Sequence, residues 1–217
     1  MKKAILIISL CFSFVSCEKS NEDFNTKKEI LVLGNSITKC APGGEWLGDW
    51  GMAASSPNKD FCGILSKSFN VNRKNIAIWE NNFYCDESHY KFVTNKHYDY
   101  IIFKIGENVS DLQNFKEELT KIVLFYKNFG SKIVLVTTVW SQYSFDENGN
   151  PFEVPSDKDR IIKEVSEELN CILVDISDMK QNSNNYAWND YQDSAIASHP
   201  NDLGMKFIAN KIIQKIQ

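Results

Sequence analysis

Short apolar runs rich in Ile and Val recur along the chain and alternate with segments whose apolar residues stand at helical spacing. Such a run, bounded by polar residues, is typical of a strand buried on both faces of a parallel sheet. The predicted strands are Ile30–Leu33, Asn75–Trp79, Tyr100–Ile105, Lys132–Thr138 and Cys171–Ile176.

The intervening segments predict four amphipathic helices, because their apolar residues recur every three or four positions. They cover 61–69, 112–126, a segment opened by Pro155-Ser156 that runs to Leu169, and 202–216. Strands that alternate with helices across short connections favour a three-layer α/β/α sandwich around a parallel sheet. No internal repeat or second domain is evident.

Three connections, all following strand carboxyl ends, are too long to be simple turns, and long loops on that face often carry function. Their aromatic residues could line a substrate cleft or could form small cores beneath the loops. The connections are 39–59 with Trp46 and Trp50, 140–154 with Trp140 and Tyr143, and 177–199 with Tyr186, Trp188 and Tyr191. We take Trp46, Trp50 and Trp140 as the candidate substrate-binding residues.

The N-terminus has the form of an export signal. Two lysines, Lys2 and Lys3, precede an uncharged apolar run from Ala4 to Ser16, which is too short to span a bilayer comfortably. Ser16-Cys17 resembles the cleavage site of bacterial lipoproteins, which implies a lipid anchor at Cys17 and a periplasmic or cell-surface location. An ordinary signal peptide with an incidental cysteine is the alternative.

These features divide the chain into a signal peptide at 1–16, a polar tether at 17–28 and a folded domain at 29–217. The formal net charge of the whole chain is −4, and loss of the two leader lysines would lower it by two, to −6. An acidic domain without a cluster of Lys and Arg argues against nucleic acid as a partner. The oligomeric state is left open.

The folded domain carries four cysteines, and no CxxC or Cys/His spacing of a metal site appears. We therefore expect no metal and no cofactor. An exported protein could pair these thiols, whereas buried free thiols are the alternative. The four are Cys40, Cys62, Cys85 and Cys171.

The first strand runs directly into Gly34-Asn35-Ser36. In open α/β sheets ligands bind outside the carboxyl ends of the strands, so Ser36 is well placed to be a nucleophile. A serine that merely caps the next helix is the simpler interpretation.

Two further residues bear on that choice. His199 precedes Pro200, which favours an extended conformation and presents the imidazole from a loop before the last helix. Imidazole suits removal of a proton from serine, which is a weak nucleophile without a base. Asn108 follows the third strand, where its amide could stabilise an oxyanion, although it could equally cap a turn.

Taken in order, Gly34-Asn35-Ser36, Gly106-Glu107-Asn108 and His199-Pro200 resemble the motif blocks of the SGNH (GDSL-like) hydrolases. The resemblance spans almost the whole predicted domain. It implies a flavodoxin-like sandwich of about five parallel strands and metal-free ester hydrolysis through an acyl-enzyme on Ser36. It also implies that His199 is the base and that Asn108 and the Ser36 backbone contribute to the oxyanion hole.

The sequence departs from the family pattern at two places. The family's second block has a Gly whose backbone N–H completes the oxyanion hole, and here that position is Glu80. The family's Asp three residues before the His is here Ile196, while Asp193 lies three residues further back. Asp193 could orient the imidazole, or a backbone carbonyl could do so in a Ser-His dyad.

The main interpretation is a lipid-anchored carbohydrate esterase that removes O-acetyl groups from a glycan or cleaves another small ester. The glycan rests only on the export signal and the aromatic loops. One alternative is a lipase or lysophospholipase, which would need a long apolar groove. The other is a non-catalytic glycan-binding lipoprotein. It is supported by the absence of the family's Asp three residues before His199 and by Glu80 at the family's Gly position.

Overall fold

A five-stranded parallel sheet forms the centre of the computed structural model, which describes residues 27–92 and 96–217. The strands are β1 (Glu29–Gly34), β2 (Asn70–Asn75), β3 (Tyr100–Lys104), β4 (Lys132–Val136), β5 (Gln142–Phe145), β6 (Pro151–Val154) and β7 (Ile172–Val174). The sheet order is β2-β1-β3-β4-β7, and β5 and β6 form a separate antiparallel hairpin.

Helices cover both faces of the sheet. They are α1 (Phe61–Leu65), α2 (Ala77–Asn81), α3 (Leu112–Lys127), α4 (Asp157–Glu168), α5 (Ser194–Ala197) and α6 (Asp202–Ile216). Helices α1 and α6 pack together on one face, and α3 and α4 pack together on the other. The expected three-layer α/β/α sandwich is therefore confirmed.

Strand β1 shows how the sequence builds the two cores. Successive side chains of a strand point to opposite faces. Ile30 and Val32 accordingly enter the core on the α1/α6 side, whereas Leu31 and Leu33 enter the core on the α3/α4 side. The unbroken apolar run is what a strand covered on both faces requires.

The prediction of the second strand was wrong in position. The apolar run expected as a strand at 75–79 forms α2, and the strand lies just before it in the polar segment 70–75. Strand β2 is an edge strand whose residues are exposed or half-buried, so it needs no apolar pattern. Ile76, which precedes α2, and Trp79 within α2 are both buried.

The sheet order contains a reversal of winding direction, the point at which α/β folds commonly bind ligands. Strand β1 lies between β2, which follows it in the chain, and β3, which comes after β2. The winding direction thus reverses between β1 and β3, and ligands of such sheets bind outside the strand carboxyl ends at this reversal. Ser36 follows β1 and Asn108 follows β3.

The 140–154 connection, expected as a long loop, holds the β5–β6 hairpin. Its register pairs Tyr143 with Glu153. The expected signal peptide and the anchor at Cys17 fall on residues outside the described part of the chain, as does most of the tether, and they stay predictions. Within 27–92 and 96–217, no helix has the length and apolar character needed to cross a bilayer.

Gly34 closes β1 where there is no room for a side chain. A Cβ at this position would overlap the Thr38 hydroxyl and would lie 2.6 Å from the carbonyl oxygen of Lys104. The tight turn that presents Ser36 therefore depends on glycine at this position.

We expect Gly34→Ala to lower the free energy of unfolding by about 1–3 kcal/mol, the usual cost of overpacking. Gly43→Ala is the control, because a Cβ there would meet no atom within 4 Å. Denaturant unfolding of both variants gives the comparison. Equal stability of the two variants would contradict the close packing assigned to Gly34.

Candidate active site

The turn after β1 holds Ser36 in a fixed geometry. The backbone carbonyl of Asn35 accepts hydrogen bonds from the N–H groups of Thr38 and Lys39, at 2.9 and 3.0 Å. The side-chain oxygen of Asn35 accepts the N–H of Ile37 at 3.1 Å. Ser36 is half-buried between these anchored neighbours, so its hydroxyl remains reachable.

His199 meets Ser36 from the other end of the chain. Its Nε2 lies 2.7 Å from Ser36 Oγ, and its Nδ1 lies 2.7 Å from the carbonyl oxygen of Ala195. A carbonyl oxygen can only accept a hydrogen bond, so Nδ1 carries the proton and Nε2 is free to accept one from Ser36. This is the tautomer that a base acting on serine must have.

Burial keeps this imidazole neutral. His199 is 6% exposed, and burial lowers its pKa from the ordinary value, with the Ala195 carbonyl opposing the shift. Its backbone is held as well: the N–H of His199 donates to Ile196 at 2.9 Å, and its carbonyl accepts the N–H of Ala187 at 3.1 Å. A neutral, fixed imidazole beside a hydroxyl is the arrangement of a general base.

Asp193 does not orient His199 in this structure. Its carboxylate accepts the N–H of Ala195 at 2.8 Å and thereby caps the N-terminus of α5. Both ring nitrogens contact other groups, Ser36 and the Ala195 carbonyl. The prediction that Asp193 is the third member of a triad is therefore wrong. The alternative, a Ser-His dyad oriented by a backbone carbonyl, is the observed geometry.

Glu80 also differs from expectation. Its backbone N–H, proposed as an oxyanion donor, points to the carbonyl of Ile76 at 3.4 Å within the turn of α2. That assignment was wrong because residues 77–81 form a helix, which uses the N–H internally.

The Glu80 side chain turns into the site instead. It is 2% exposed, and its Oε2 accepts Asn108 Nδ2 at 2.8 Å. Its Oε1 accepts the Gly106 N–H and, at 3.3 Å, Asn35 Nδ2. Burial and the charge of Glu107 raise the pKa of Glu80 to about 7.

A second buried carboxylate, that of Glu107, lies on the other side of Asn35. It pairs with the Lys104 ammonium, and it accepts Asn35 Nδ2 at 2.7 Å and the Val139 N–H at 3.1 Å. Burial works to raise the pKa of Glu107, but the Lys104 charge and these hydrogen bonds outweigh it, so the pKa is lowered. Sequence reasoning missed this pair, for which a lysine closing an apolar strand was the available signal.

Two of the groups expected as oxyanion donors still have a hydrogen free to donate. Within the described residues, the backbone N–H of Ser36 has no hydrogen-bond acceptor. Asn108 Nδ2 uses one hydrogen on Glu80 and retains the second. The expected contributions of Ser36 and Asn108 are therefore compatible with the structure.

The three candidate substrate-binding tryptophans have different environments. Trp46 is 2% exposed, donates from Nε1 to the Cys40 carbonyl at 3.2 Å and belongs to a small core beneath the loops. Trp50 packs edge-on against Trp46 with ring centroids 5.3 Å apart, and its Nε1 donates to the Ala54 carbonyl. The prediction that Trp46 contacts substrate is therefore wrong, because its ring is buried. Trp50 is partly buried and packs against both this small core and the core on the α1/α6 side.

Trp140 alone of the three adjoins the base. Its ring stands perpendicular to the His199 ring at a centroid distance of 5.7 Å, and its Nε1 donates to the Ser198 carbonyl at 2.9 Å. Beyond Trp140 lies a cleft of about 560 Å³. Its lining combines aromatic and polar side chains: Trp140, Ser141, Tyr143, Glu153, Lys180, Gln181, Ser183, Tyr186 and Trp188.

The four cysteines of the described chain are free thiols, with Cys62 buried and the other three half-buried. The open question of disulfide pairing is thus answered for this structure. Among residues 27–92 and 96–217, no three His, Cys, Asp or Glu side chains converge as a metal site would require.

Comparison with solved structures identifies the fold. The salicylyl-acyltransferase SsfX3 from a tetracycline biosynthetic pathway matches 89% of this chain with a TM-score of 0.61 and 17% identity, and the chain spans 55% of its length. The acetylxylan esterase Axe2 from Geobacillus stearothermophilus matches 88% of this chain and 94% of its own, with a TM-score of 0.55 and 15% identity.

A protein assigned to the SGNH hydrolases from Slackia heliotrinireducens matches 88% of this chain and all of its own, with a TM-score of 0.58 and 12% identity. No protein-family model and no curated protein sequence matches the chain. At these identities the likeness establishes the fold alone, the three-layer α/β/α sandwich shared with these proteins, and the activity has to be argued from the site.

We expect Asp193→Asn to leave the pKa of His199 unchanged within about 0.3 units, whereas loss of a contacting carboxylate would lower it by 1 unit or more. Asparagine also caps helices well, so α5 and the Ala195 carbonyl should stay in place. NMR titration of the imidazole, assigned with His199→Ala, gives the measurement. In the unaltered protein His199 should titrate below 6.5.

Proposed function

We propose that this chain is a serine ester hydrolase that removes acyl groups, acetyl in particular, from carbohydrates. The observation that carries the hydrolase assignment is the 2.7 Å contact between Ser36 Oγ and His199 Nε2, with Nδ1 held on a backbone carbonyl. The position of this pair at the reversal point of the sheet, where such folds bind ligands, supports the same assignment.

The proposed reaction has two halves. Ser36 Oγ attacks the ester carbonyl while its proton passes to His199 Nε2, and the negative charge on the carbonyl oxygen is met by the Ser36 N–H and Asn108 Nδ2. Collapse breaks the ester C–O bond, the alcohol leaves with the proton from His199, and an acyl-enzyme remains. Water, deprotonated by His199, then releases the acid and restores Ser36.

The imidazolium formed during attack is supported by the Ala195 carbonyl rather than by a carboxylate. A carbonyl dipole fixes the ring and its tautomer but stabilises the positive charge less than an anion does. We therefore expect slower turnover than an enzyme with a complete Ser-His-Asp triad.

A carbohydrate substrate is supported by the cleft beside Trp140. Aromatic faces can stack on sugar rings, and Ser141, Glu153, Lys180, Gln181 and Ser183 offer both donors and acceptors to hydroxyl groups. A lipase would need a long apolar groove, which this mixed lining does not provide. Two of the structural neighbours are acetylxylan esterases by name, which is in line with the proposal.

The sequence adds a location to the proposal. The apolar leader and Cys17 favour export and lipid anchoring at the cell surface or in the periplasm, next to glycans of the envelope or of the surroundings. Loss of membrane association on Cys17→Ser would support this assignment, and unchanged association would reject it.

We expect the protein to hydrolyse p-nitrophenyl acetate and Ser36→Ala and His199→Ala each to lower kcat about a thousandfold or more, because nucleophile and base act as a unit. Ser68→Ala is the control, because Ser68 is exposed and precedes β2, at the edge of the sheet opposite to Ser36. Undiminished turnover by Ser36→Ala would refute the assignment. Faster hydrolysis of p-nitrophenyl octanoate than of the acetate would favour the lipase alternative.

Removal of an aromatic side chain from the cleft tests whether the substrate is a carbohydrate. We expect Trp188→Ala to raise KM for acetylated xylo-oligosaccharides about tenfold, equivalent to about 1.4 kcal/mol of lost binding, and to leave kcat/KM for p-nitrophenyl acetate unchanged. The matched control is Tyr84→Ala, because Tyr84 is also an exposed aromatic residue but does not line this cleft. Saccharide binding without any acyl turnover would favour the non-catalytic alternative.

A further inference from the structure

The buried carboxylate of Glu80 is surrounded by hydrogen-bond donors. Among the residues that the structure describes, three groups contact its oxygens, and all three are donors: the Gly106 N–H, Asn35 Nδ2 and Asn108 Nδ2. A buried carboxylate normally requires a cation or several hydrogen bonds. Glu80 has the hydrogen bonds, whereas the Lys104 ammonium pairs with Glu107.

The consequence concerns the amide of Asn108. The two ends of an Asn side chain have nearly the same shape, so its orientation is decided by what it contacts. An ionised carboxylate can only accept hydrogen bonds, so it selects the orientation with Nδ2 towards Glu80 and rejects Oδ1 there. With Nδ2 held in this way, its second hydrogen can serve an acyl oxygen.

We infer that the Glu80 side chain is a positioning residue that locks the Asn108 amide so that its N–H, and not its carbonyl, faces the reacting ester. The inference rests on the proposed hydrolase function and adds to it a role for a side chain that touches no reacting atom. Glu80 acts through Asn108, and through Gly106 it also fixes the turn that carries Asn108.

Ionisation of Glu80 is part of this role. Protonation of Oε2, which accepts only the Asn108 hydrogen bond, would remove this selection, because a carboxyl group can donate to Asn108 Oδ1 as well as accept from Nδ2. The charged groups near Glu80 are Glu107 from the segment after β3, Lys104 at the end of β3 and Lys158 from α4. Loss of the Asn108 lock on acidification should therefore lower kcat.

The decisive variant is Glu80→Gln. Gln can place its oxygen where Oε1 accepts Gly106 and Asn35, but its NH₂ group then faces Asn108 Nδ2, donor against donor. We expect kcat for p-nitrophenyl acetate to fall about 10- to 100-fold, up to the loss from removing an oxyanion donor, with KM changed less than threefold. Circular dichroism and thermal melting verify that the variant is folded.

A double-mutant cycle separates positioning from general damage. If Glu80 acts through Asn108, Glu80→Gln should change kcat less than about twofold when Asn108 is already Ala, because coupled residues are not additive. A further full loss in the Asn108→Ala background, or an unchanged kcat in Glu80→Gln alone, would overturn the inference. Absence of Ser36-dependent hydrolysis in the unaltered protein would instead refute the proposed function.

A measurement that does not rely on the folding of Glu80→Gln uses pH. In the unaltered protein kcat should rise with pH through an apparent pKa near that of Glu80, about 7, as the carboxylate forms and locks the amide. In Asn108→Ala that limb should move to lower pH, where His199 alone titrates. Identical limbs in the two proteins, or a kcat that falls as Glu80 ionises, would contradict the role assigned to Glu80.

Discussion

The hydrogen bond between Ser36 and His199 joins residues 163 positions apart, and the chemistry proposed for this chain depends on it. The sheet brings the two residues together. Strand β1 delivers the serine to the carboxyl edge, and the connection between β7 and α6 returns the histidine to the same edge. The short helix α5 completes the pair by aiming the Ala195 carbonyl at Nδ1, a task for which a carboxylate would otherwise be needed.

Next to this pair lies a cluster of buried polar side chains. Asn35 bridges two buried carboxylates, Glu80 and Glu107, and only Glu107 has a cation, that of Lys104. Buried ion pairs contribute little net stability by themselves, since desolvation offsets their attraction. The cluster is better understood as a means of orientation: it fixes the turn after β1 and the turn after β3, which carry Ser36 and Asn108.

The sequence was most informative where a residue's role follows from the chain itself. The apolar runs located β1, β3 and β4, and the strand-end positions of Ser36, Asn108 and His199 indicated that they meet. The position of the edge strand β2 was not predicted, because an exposed edge strand needs no apolar pattern. The apolar run that enters α2 was predicted as the strand instead. Glu80 and Asp193 could not be assigned, since both depend on whether a neighbouring backbone group is already used within a short helix. The buried state of Trp46 likewise depends on how two loops pack.

The most direct measurement is reaction with a fluorophosphonate followed by peptide mapping, which detects an activated serine without requiring the natural substrate. We predict a single modified residue, Ser36, and a modification rate at least a hundredfold lower in His199→Ala, because the hydroxyl then lacks its base. Modification of another serine, or equal rates in the two proteins, would contradict the claim that the contact between the two ends of the domain activates Ser36.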